Sequence, residues 1–505
     1  MPTTSPPELD QDHAARRSRS LILALACLAQ FMVVLDVSIV NVALPSIRHD
    51  LNYSATGLQW VVNAYVLTFA GFLLLGGRAA DLYGRRKIFV LGLALFTGAS
   101  LLGGLANSSA MLTAARAAQG LGGAVLSPAT LTIIMTTFDE GVARNRALGM
   151  WSSVAGAGGA TGAILGGVLT NYLSWRWVLF VNVPIGVLAG AAALRWLSEG
   201  RRPTTARSLD LAGAVTVTGG LAVLVYAIVN TTTHPWGSAL TLSLLGAAVV
   251  LLAAFVFVQT RAASPLVPLR LFRLRSLSAA NAVMLLTGVV FFSMWYFISL
   301  YLQYVLGYSP LRAGLAFMPM AGGIIVGAQV SSRLITKLGA RPLLVVGIGI
   351  TVAGFFWISR LSAEGTYLGG VLGPGLLLTI GVGLCFTPLA AAATSGVHYT
   401  EAGLASGLLN TSRQVGGSLG LAALATVATD RTRDALTTPG GGRGVQAVNV
   451  ALTSGYDRAF LVAGVVALAA MALSLAVPGV SRRRAAQVQA AGVASSAVPA
   501  AIPAD

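Results

Sequence analysis

Charged residues are scarce in this sequence. Asp, Glu, Lys and Arg make up 10% of its 505 residues, whereas soluble proteins carry about 25%. Hydrophobic residues make up 55%, and the mean hydropathy is +0.78. This composition excludes an ordinary soluble domain and predicts an integral membrane protein.

Cysteine is also scarce. Cys27 and Cys385 are the two cysteines, and each lies within an apolar run. This pattern argues against a disulfide framework or a metal site, so we interpret both as buried thiols. The glycine-rich segment around Gly162 has no preceding strand and no lysine, which excludes a nucleotide-binding loop. We therefore expect no metal, no cofactor and no enzymatic activity.

Lysine is nearly absent from the basic residues. Of 33 Lys and Arg residues only Lys87 and Lys337 are lysines, a bias that suggests a GC-rich bacterial genome. We expect the protein to lie in a bacterial inner membrane. The formal net charge of +17 could suggest a nucleic-acid partner. However, the basic residues form short clusters between apolar runs, without a groove of alternating aromatic and basic side chains. We expect no nucleic-acid binding.

Long apolar runs fill most of the chain. A membrane crossing needs about 20 apolar residues, and in lipid the backbone must satisfy its own hydrogen bonds, so each run is predicted to be a helix. We predict an all-α integral membrane protein with fourteen transmembrane helices. They cover roughly residues 21–45, 57–77, 88–106, 110–137, 147–169, 177–197, 210–229, 239–258, 279–302, 313–332, 342–360, 367–394, 403–428 and 459–479.

The charges between these runs predict the orientation. With the N-terminus in the cytoplasm, 23 of the 33 Lys and Arg residues fall on the inner side and 8 on the outer side. Such an inner excess is typical of membrane proteins and supports the register of the fourteen helices. An even number of helices places both termini in the cytoplasm. The terminal segments 1–20 and 481–505 lack periodicity, and we expect both to be disordered.

Asp36 is a carboxylate in the interior of an apolar run. A charge at membrane depth costs at least about 2.5–3.5 kcal/mol, so it indicates a functional residue. Asp36 lies about 23 Å from the inner end of its helix, and Arg116 enters from outside to a similar depth. A neighbouring cation favours the charged carboxylate and a dry environment disfavours it. We therefore predict that Asp36 and Arg116 couple transport to protons; the alternative is a fixed ion pair that only positions two helices.

A basic segment joins the second and third predicted helices on the inner side. It contains Gly77, Asp81, Gly84, Arg85 and Arg86 in the spacing G-x-x-x-D-x-x-G-R-R-K. Gly84 permits a tight turn. A weaker copy lies at residues 332–341, with Thr336 in the place of Asp81. The two copies predict a chain built from two related halves, as transporters commonly are.

Small and polar residues mark two further helices. Gly158, Gly162 and Gly166 recur at four-residue steps on the fifth helix, a pattern that lets helix backbones touch. On the thirteenth helix Arg413 lies near mid-membrane, where it would line a cavity, contact an anionic group or bond to another helix. Tentative cavity residues are Asn41, Gln303, Asn410, Arg413 and Gln414. For Asn41, hydrogen bonding between helices is the stronger interpretation.

These segments resemble the major facilitator superfamily, and specifically its fourteen-helix drug:proton antiporters. The resemblance extends from about residue 20 to 480. It rests on Gly77 to Lys87, Leu35 to Pro45, Arg116 to Gly120, Trp175-Arg176-Trp177 with Phe180, Asn182, Pro184 and Gly186, and Tyr301 to Gly314.

The resemblance implies two six-helix bundles around a central cavity, at residues 21–198 and 277–480, with an inserted helix pair at 199–276. It also implies alternating access, outward transport of small amphipathic or hydrophobic compounds such as drugs, antibiotics or secondary metabolites, and exchange for protons. The segment with Asp81 would lock the inner side in the outward-open state. The expected partners are a small-molecule substrate, protons and the lipid bilayer, and the chain is expected to be a monomer.

Two departures from the family pattern matter. The fifth-helix motif, which includes Gly166 and Gly167, has Ala163 where a proline is usual, and this puts the helix geometry in doubt. Some relatives that export dications carry a second embedded acid, which we do not find here, so neutral or singly charged compounds are favoured. Two alternatives stay open: an exporter of lipid or cell-envelope precursors on the same scaffold, and a membrane sensor that transports nothing.

Overall fold

The regular secondary structure is all helical in the part of the chain that the computed structural model describes, residues 6–138, 141–197, 199, 209–398, 401–437 and 444–478. Helices satisfy their own backbone hydrogen bonds, which is the requirement that lipid imposes on apolar runs of this length. The α-helices are α1 (Pro6–Asp50), α2 (Trp60–Tyr83), α3 (Arg85–Gly104), α4 (Ser109–Thr137), α5 (Val142–Tyr172), α6 (Trp177–Phe180), α7 (Asn182–Trp196), α8 (Leu211–Asn230), α9 (Ala239–Arg261), α10 (Arg275–Leu300), α11 (Pro310–Ala316), α12 (Met318–Leu338), α13 (Ala340–Ile358), α14 (Gly373–Thr394), α15 (Ala402–Thr437) and α16 (Val445–Ser474).

Twelve helical segments of the described residues are long and apolar enough to cross a membrane. They correspond to twelve of the fourteen predicted spans. The two other predicted spans coincide with α5 and α15, of 31 and 36 residues. Both are rich in Gly, Ala and polar residues, which lowers their hydropathy. The membrane-spanning, all-helical fold is confirmed, and the count of fourteen stays a prediction.

The prediction for the N-terminal segment is wrong in part. Residues 1–20 were expected to be disordered, but α1 extends back to Pro6. Residues 1–5 and the C-terminal segment 481–505 lie outside the described residues.

Two glycines end helices at equivalent places in the halves of the chain. Gly84 separates α2 from α3 with a φ of 97°, and Gly339 separates α12 from α13 with a φ of 80°. Only glycine adopts such angles without strain. These are the glycines of the basic segment and of its weaker copy, so the sequence repeat is also a repeat of backbone conformation.

The helices pack in two groups with the same pattern of neighbours. In the first group α1 packs on α5, α2 on α4, and α3 on α4 and α7; in the second α10 packs on α15, α12 on α14, and α13 on α14 and α16. The groups meet where α2 contacts α15 and where α5 contacts α11 and α12. This arrangement agrees with two related bundles, while the exact boundaries at residues 198 and 277 stay a prediction.

The predicted helix pair between the groups is α8 and α9. Helix α8 packs on both α2 and α15, where Val225 shares an apolar cluster with Leu67 and Ala422. Helix α9 packs on α8 and exposes much of its apolar surface. The pair therefore lies against the junction of the two groups. Helix α8 contacts the junction, and α9 lies on the far side of α8.

Asp210 fixes the inner end of this pair. Its carboxylate accepts hydrogen bonds from Gly213 N at 2.8 Å, Gln259 Nε2 at 2.7 Å and Leu266 N at 3.3 Å. The first bond caps the N-terminus of α8. The others join α8 to the end of α9 and to the segment that follows it. One buried carboxylate thus holds three parts of the insertion together.

Replacing Asp210 with Ala should lower the free energy of unfolding by about 1–3 kcal/mol, because it removes a helix cap and leaves buried donors unpaired. Thermal unfolding of the purified protein in detergent measures this loss. Ser238→Ala is the matched control, since Ser238 caps α9 but its side chain bonds only to Thr241 of the same helix, accepting from Thr241 N and donating to Thr241 Oγ1. An equal loss of stability in the two variants would contradict the conclusion that Asp210 holds α8, the end of α9 and the following segment together.

Candidate functional site

Asp36 and Arg116 meet in the interior of the first helix group. Arg116 Nη1 donates to Asp36 Oδ2 at 2.6 Å, and the side chains are 0% and 2% exposed for Asp36 and Arg116. Two amide groups complete the carboxylate's surroundings: Gln119 Nε2 donates to Asp36 Oδ1 at 2.7 Å and Asn182 Nδ2 donates to it at 3.1 Å. The carboxylate of α1 is therefore bound by donors from α4 and α7.

Arg116 is itself held by three other groups. Its Nε donates to Val61 O at 3.0 Å, its Nη1 also donates to Gln119 Oε1 at 2.7 Å, and its guanidinium lies 4.4 Å from the ring centre of Tyr65. The Val61 and Tyr65 contacts fasten the cation to α2. Removing either partner of a buried ion pair typically costs about 3–5 kcal/mol, because the other charge is left uncompensated.

Ser100 of α3 connects the two amides. Its Oγ accepts from Gln119 Nε2 at 3.1 Å and from Asn182 Nδ2 at 3.0 Å, and it donates to Leu179 O at 2.9 Å. The polar network therefore includes residues of α1, α2, α3, α4, α6 and α7. A proton added to Asp36 would weaken the ion pair and change the forces on all of these helices.

The sequence led to the ion pair but not to the network around it. Gln119 and Asn182 were noted only as parts of family motifs, and Ser100 was not noted. One signal was present: Gln119 is three residues from Arg116, so both lie on the same face of α4. No sequence pattern places Ser100 beside them, because that contact depends on how α3 packs against α4 and α7.

The basic segment on the inner side consists of two helix ends around Gly84. Gly77 and Asp81 lie in the last turns of α2, and Arg85 and Arg86 begin α3. Arg86 Nη2 donates to Leu194 O of α7 at 2.7 Å. In the same segment, Arg78 donates to Ser264 O, in the connection between α9 and α10. The segment thus contacts both its own helix group and the inserted pair.

The glycines of α5 face two different partners. A Cβ at Gly158 would lie 3.2 Å from Phe31 O, one at Gly162 2.6 Å from Ser38 Cβ, and one at Gly166 2.6 Å from Ile39 O, all on α1. Gly167 instead faces the second group, where its Cβ would lie 2.7 Å from Pro310 O of α11. Three glycines therefore allow close packing within a group, and the fourth allows it between groups.

The five tentative cavity residues do not form one set. The Asn41 side chain donates from Nδ2 to Val37 O of its own helix at 2.9 Å, and its backbone oxygen accepts from Ser299 Oγ at 2.8 Å. Gln303 Nε2 donates to Val42 O at 3.0 Å, so both residues lie where α1 meets the C-terminal end of α10 and the turn after it. Gly288 is the residue of α10 that packs on Arg413 O. Fifteen residues of helix correspond to about 22 Å, so Gln303 is far from the level of Arg413. Asn41 and Gln303 thus lie at a different depth from Arg413, and the assignment of the five residues to a substrate cavity stays a prediction.

The other three residues lie on α15. Asn410 and Arg413 are partly exposed and share a hydrogen bond of 2.9 Å from Arg413 Nη2 to Asn410 Oδ1. Gln414 is buried, and its Oε1 has no hydrogen-bond partner among the described residues. Residues three and four apart are neighbours on a helix, so Arg413 and Gln414 flank Asn410 on the same side of α15.

Comparisons with known proteins agree with this architecture. The sequence profile of a family described as the Major Facilitator Superfamily matches residues 26–421. The chain is 47% identical to the cephamycin export protein CmcT of Amycolatopsis lactamdurans, over 91% of this chain and 93% of that protein. It is 41% identical to the puromycin resistance protein pur8 of Streptomyces alboniger, over 83% of each chain. It is also 35% identical to the tetracenomycin C resistance and export protein of Streptomyces glaucescens, over 90% of each chain.

A solved structure shares the fold. A bacterial homologue of the human lysosomal transporter Spinster, in an inward-facing and occupied conformation, superposes with a TM-score of 0.65 at 17% sequence identity. The match covers 91% of this chain and 96% of that chain.

Proposed function

We propose, starting from the fact that the chain belongs to the Major Facilitator Superfamily, that it exports small amphipathic or hydrophobic compounds in exchange for protons by alternating access. It is a multi-pass bacterial membrane protein that transports small molecules. Relatives named for the export of, or resistance to, cephamycin, puromycin and tetracenomycin C support antibiotics as the cargo. The buried Asp36–Arg116 pair is the observation that supports proton exchange.

Asp36 is the proposed proton carrier. When charged, it accepts hydrogen bonds from Arg116, Gln119 and Asn182. When protonated, it loses the ion pair, and Arg116 becomes an uncompensated buried cation. The protein must then rearrange α1 against α4, which gives a physical link between proton binding and helix movement. A membrane potential of 100 mV contributes about 2.3 kcal/mol for each proton that moves inwards.

We assign this conformation to the outer-closed one of the two states that alternating access requires. Contacts between the helix groups at the outer end include Asn41 with Ser299 and Gln303 with Val42. For the opposite state we propose that the segment of Gly77, Asp81, Gly84, Arg85 and Arg86 locks the inner side.

The arrangement in the membrane is also part of the proposal. The inner excess of basic residues favours cytoplasmic termini in a bacterial inner membrane. The observed helix packing supports a division into a first bundle, the pair α8 and α9, and a second bundle. A monomer suffices for this mechanism, since each group of helices contributes one half of the transport path.

Inside-out vesicles test the function directly. With an acidic lumen, vesicles that contain the protein should accumulate puromycin, tetracenomycin C or a cephamycin, and the cargo should release protons from the lumen, as read by a pH-sensitive dye. Dissipating the pH gradient with nigericin should reduce the accumulation. Cargo accumulation that proceeds with no proton movement would contradict the exchange mechanism, and absence of accumulation for the whole panel would contradict drug export.

A further inference from the structure

Arg413 differs from the other embedded arginine in its partners. It lies about 17 Å from the start of α15 and about 25 Å from Asp430 near the other end. Arg116 forms an ion pair with Asp36, whereas none of the ion pairs formed among the described residues includes Arg413. A cation at membrane depth without an anion is costly and typically marks a substrate or ion pathway.

The guanidinium of Arg413 keeps donors available. It has five N–H groups in a planar fork, and the structure gives one hydrogen bond from it, to Asn410 Oδ1 at 2.9 Å. The side chain is partly exposed even though it lies near the middle of α15. Such a fork matches the two oxygens of a carboxylate better than any other group of similar size. The missing partner is therefore expected to be an anion.

Aromatic side chains line the surface beside Arg413. The guanidinium lies 5.8 Å from the ring centre of Phe386, and Phe386 is 6.3 Å from Phe291, which is 6.3 Å from Trp295. All three rings are only partly buried. Phe291 meets both neighbours edge to face, at interplanar angles of 71° and 65°. Rings in this arrangement leave faces on which another aromatic group can stack.

Trp295 adds an unsatisfied donor to the same surface. Its indole Nε1 is buried and has no hydrogen-bond partner among the described residues. A buried donor of this kind favours an acceptor on a bound molecule, because leaving it unpaired is unfavourable. The cation, the rings and this donor come from α10, α14 and α15, which pack on one another.

We infer that Arg413 binds the carboxylate of an aromatic export substrate, while Asn410 orients the guanidinium and Phe386, Phe291 and Trp295 contact the aromatic part. The inference rests on the proposed function and specifies its cargo as aromatic carboxylates. The outer contacts at Asn41 and Gln303 would separate this bound anion from the outside in the present state. An exported carboxylate carries a negative charge outwards, so the inside-negative membrane potential assists it.

Three naphthalene derivatives that differ in one group provide the probes: naphthalene-2-acetate, the corresponding acetamide and a naphthylmethyl-trimethylammonium. Proton-driven transport of the radiolabelled compounds is measured in proteoliposomes. We expect the acetate to have the lowest KM. Arg413→Gln should raise that KM about tenfold or more, since it removes a charge-assisted hydrogen bond. Arg413→Lys should recover part of the loss by restoring the charge without the planar fork.

The membrane potential supplies a second readout. Imposing 100 mV changes the limiting gradient of a transported species about fifty-fold per charge, so the acetate should respond more steeply than the acetamide. Arg360→Gln is the matched control, because Arg360 is an exposed arginine outside the proposed subsite. It should leave all three KM values unchanged.

Distinct results separate the inference from the proposed function. Equal increases in KM for all three compounds in Arg413→Gln would show that Arg413 only positions helices and would overturn the inference. Failure to transport the acetate, in proteoliposomes that still export puromycin, would overturn it as well. If puromycin, tetracenomycin C and a cephamycin also fail to move under a proton gradient, the proposed function itself is wrong.

Discussion

Asp36→Asn should abolish efflux driven by a pH gradient, with a fall of at least about a hundredfold in the initial rate. Asn cannot bind and release a proton as the Asp36 carboxylate does, so the variant loses its link to the proton gradient. A pH difference of two units alone corresponds to about 2.7 kcal/mol of driving force. Asn has nearly the same shape as Asp, so the side chain still fits between α1, α4 and α7. Because Arg116 loses its counter-charge, a stability loss of about 3–5 kcal/mol is also expected. The amount of folded protein in the membrane is therefore measured beside the rate, and the rate is expressed per folded protein.

Exchange of cargo without a net proton flux should persist in Asp36→Asn. Asn resembles the protonated, neutral acid, so helix movements that need no change of charge are still allowed. The measurement compares gradient-driven uptake into inside-out vesicles with counterflow of labelled against unlabelled cargo in the same preparation.

Asp50→Asn is a matched control on the same helix. Asp50 forms an ion pair with Arg176 at 2.6 Å, but the two side chains are 44% and 33% exposed. Exposed pairs typically contribute about 0–1 kcal/mol, so this change should have little effect on the transport rate. Gradient-driven efflux that is the same in Asp36→Asn and the unmodified protein would remove Asp36 from the mechanism.

The sequence predicts the depth of a residue along its helix better than the direction in which the side chain points. Hydropathy and the positions of Arg residues defined where helices begin and end, and this was enough to place Asp36 and Arg116 at the same level. Helices within a bundle are apolar nearly all round, so periodicity does not reveal which face meets which neighbour. Ser100 was missed for this reason.

The tentative cavity residues show that the sequence also does not reveal which side chains lie between the two helix groups. Asn41 and Gln303 are polar residues in apolar helices, which suggested contact with a substrate. In the structure the Asn41 side chain donates to Val37 O of its own helix, and its backbone oxygen accepts from Ser299 Oγ of the other group. The Gln303 side chain donates to Val42 O across the same junction. That junction depends on the state of the transporter, and a single sequence encodes both states. Arg413 could be identified from the sequence as an embedded cation, but its lack of an acidic partner among the described residues became visible only with the fold.

Gly167→Val should open the outer side. The added Cβ at this position would lie 2.7 Å from Pro310 O and 2.9 Å from Leu311 Cα, and these backbone atoms cannot move aside as a flexible side chain could. On the opposite helix a Cβ at Gly314 would lie 2.4 Å from Ala163 O, so the contact is tight from both directions. Overpacking of this kind typically costs about 1–3 kcal/mol. That cost applies to the state in which the outer contact is closed.

A cost of about 1–3 kcal/mol on one state corresponds to a change of about 5- to 150-fold in the ratio of the two states. The population of the state with the outer contact closed should fall by this factor relative to the other state. Transport should slow because each transport cycle includes the outer-closed state. Ser299 is a suitable reporter, since it is 0% exposed and bonds to Asn41 O within the outer junction. Both natural cysteines are buried, so a cysteine-free background needs only two replacements.

Labelling of Ser299→Cys from outside by a membrane-impermeant maleimide measures the opening. In the cysteine-free background, adding Gly167→Val should raise the labelling rate about 5- to 150-fold. Gly159→Val is the control on the same helix, because a Cβ at Gly159 meets nothing within 4 Å and should leave the rate unchanged. A rate that does not rise with Gly167→Val, or that rises equally with Gly159→Val, would show that this glycine contact does not keep the outer side closed. A rise confined to Gly167→Val would identify the junction of α5 and α11 as part of the outer gate, on the opposite side of the molecule from the basic segment around Gly84.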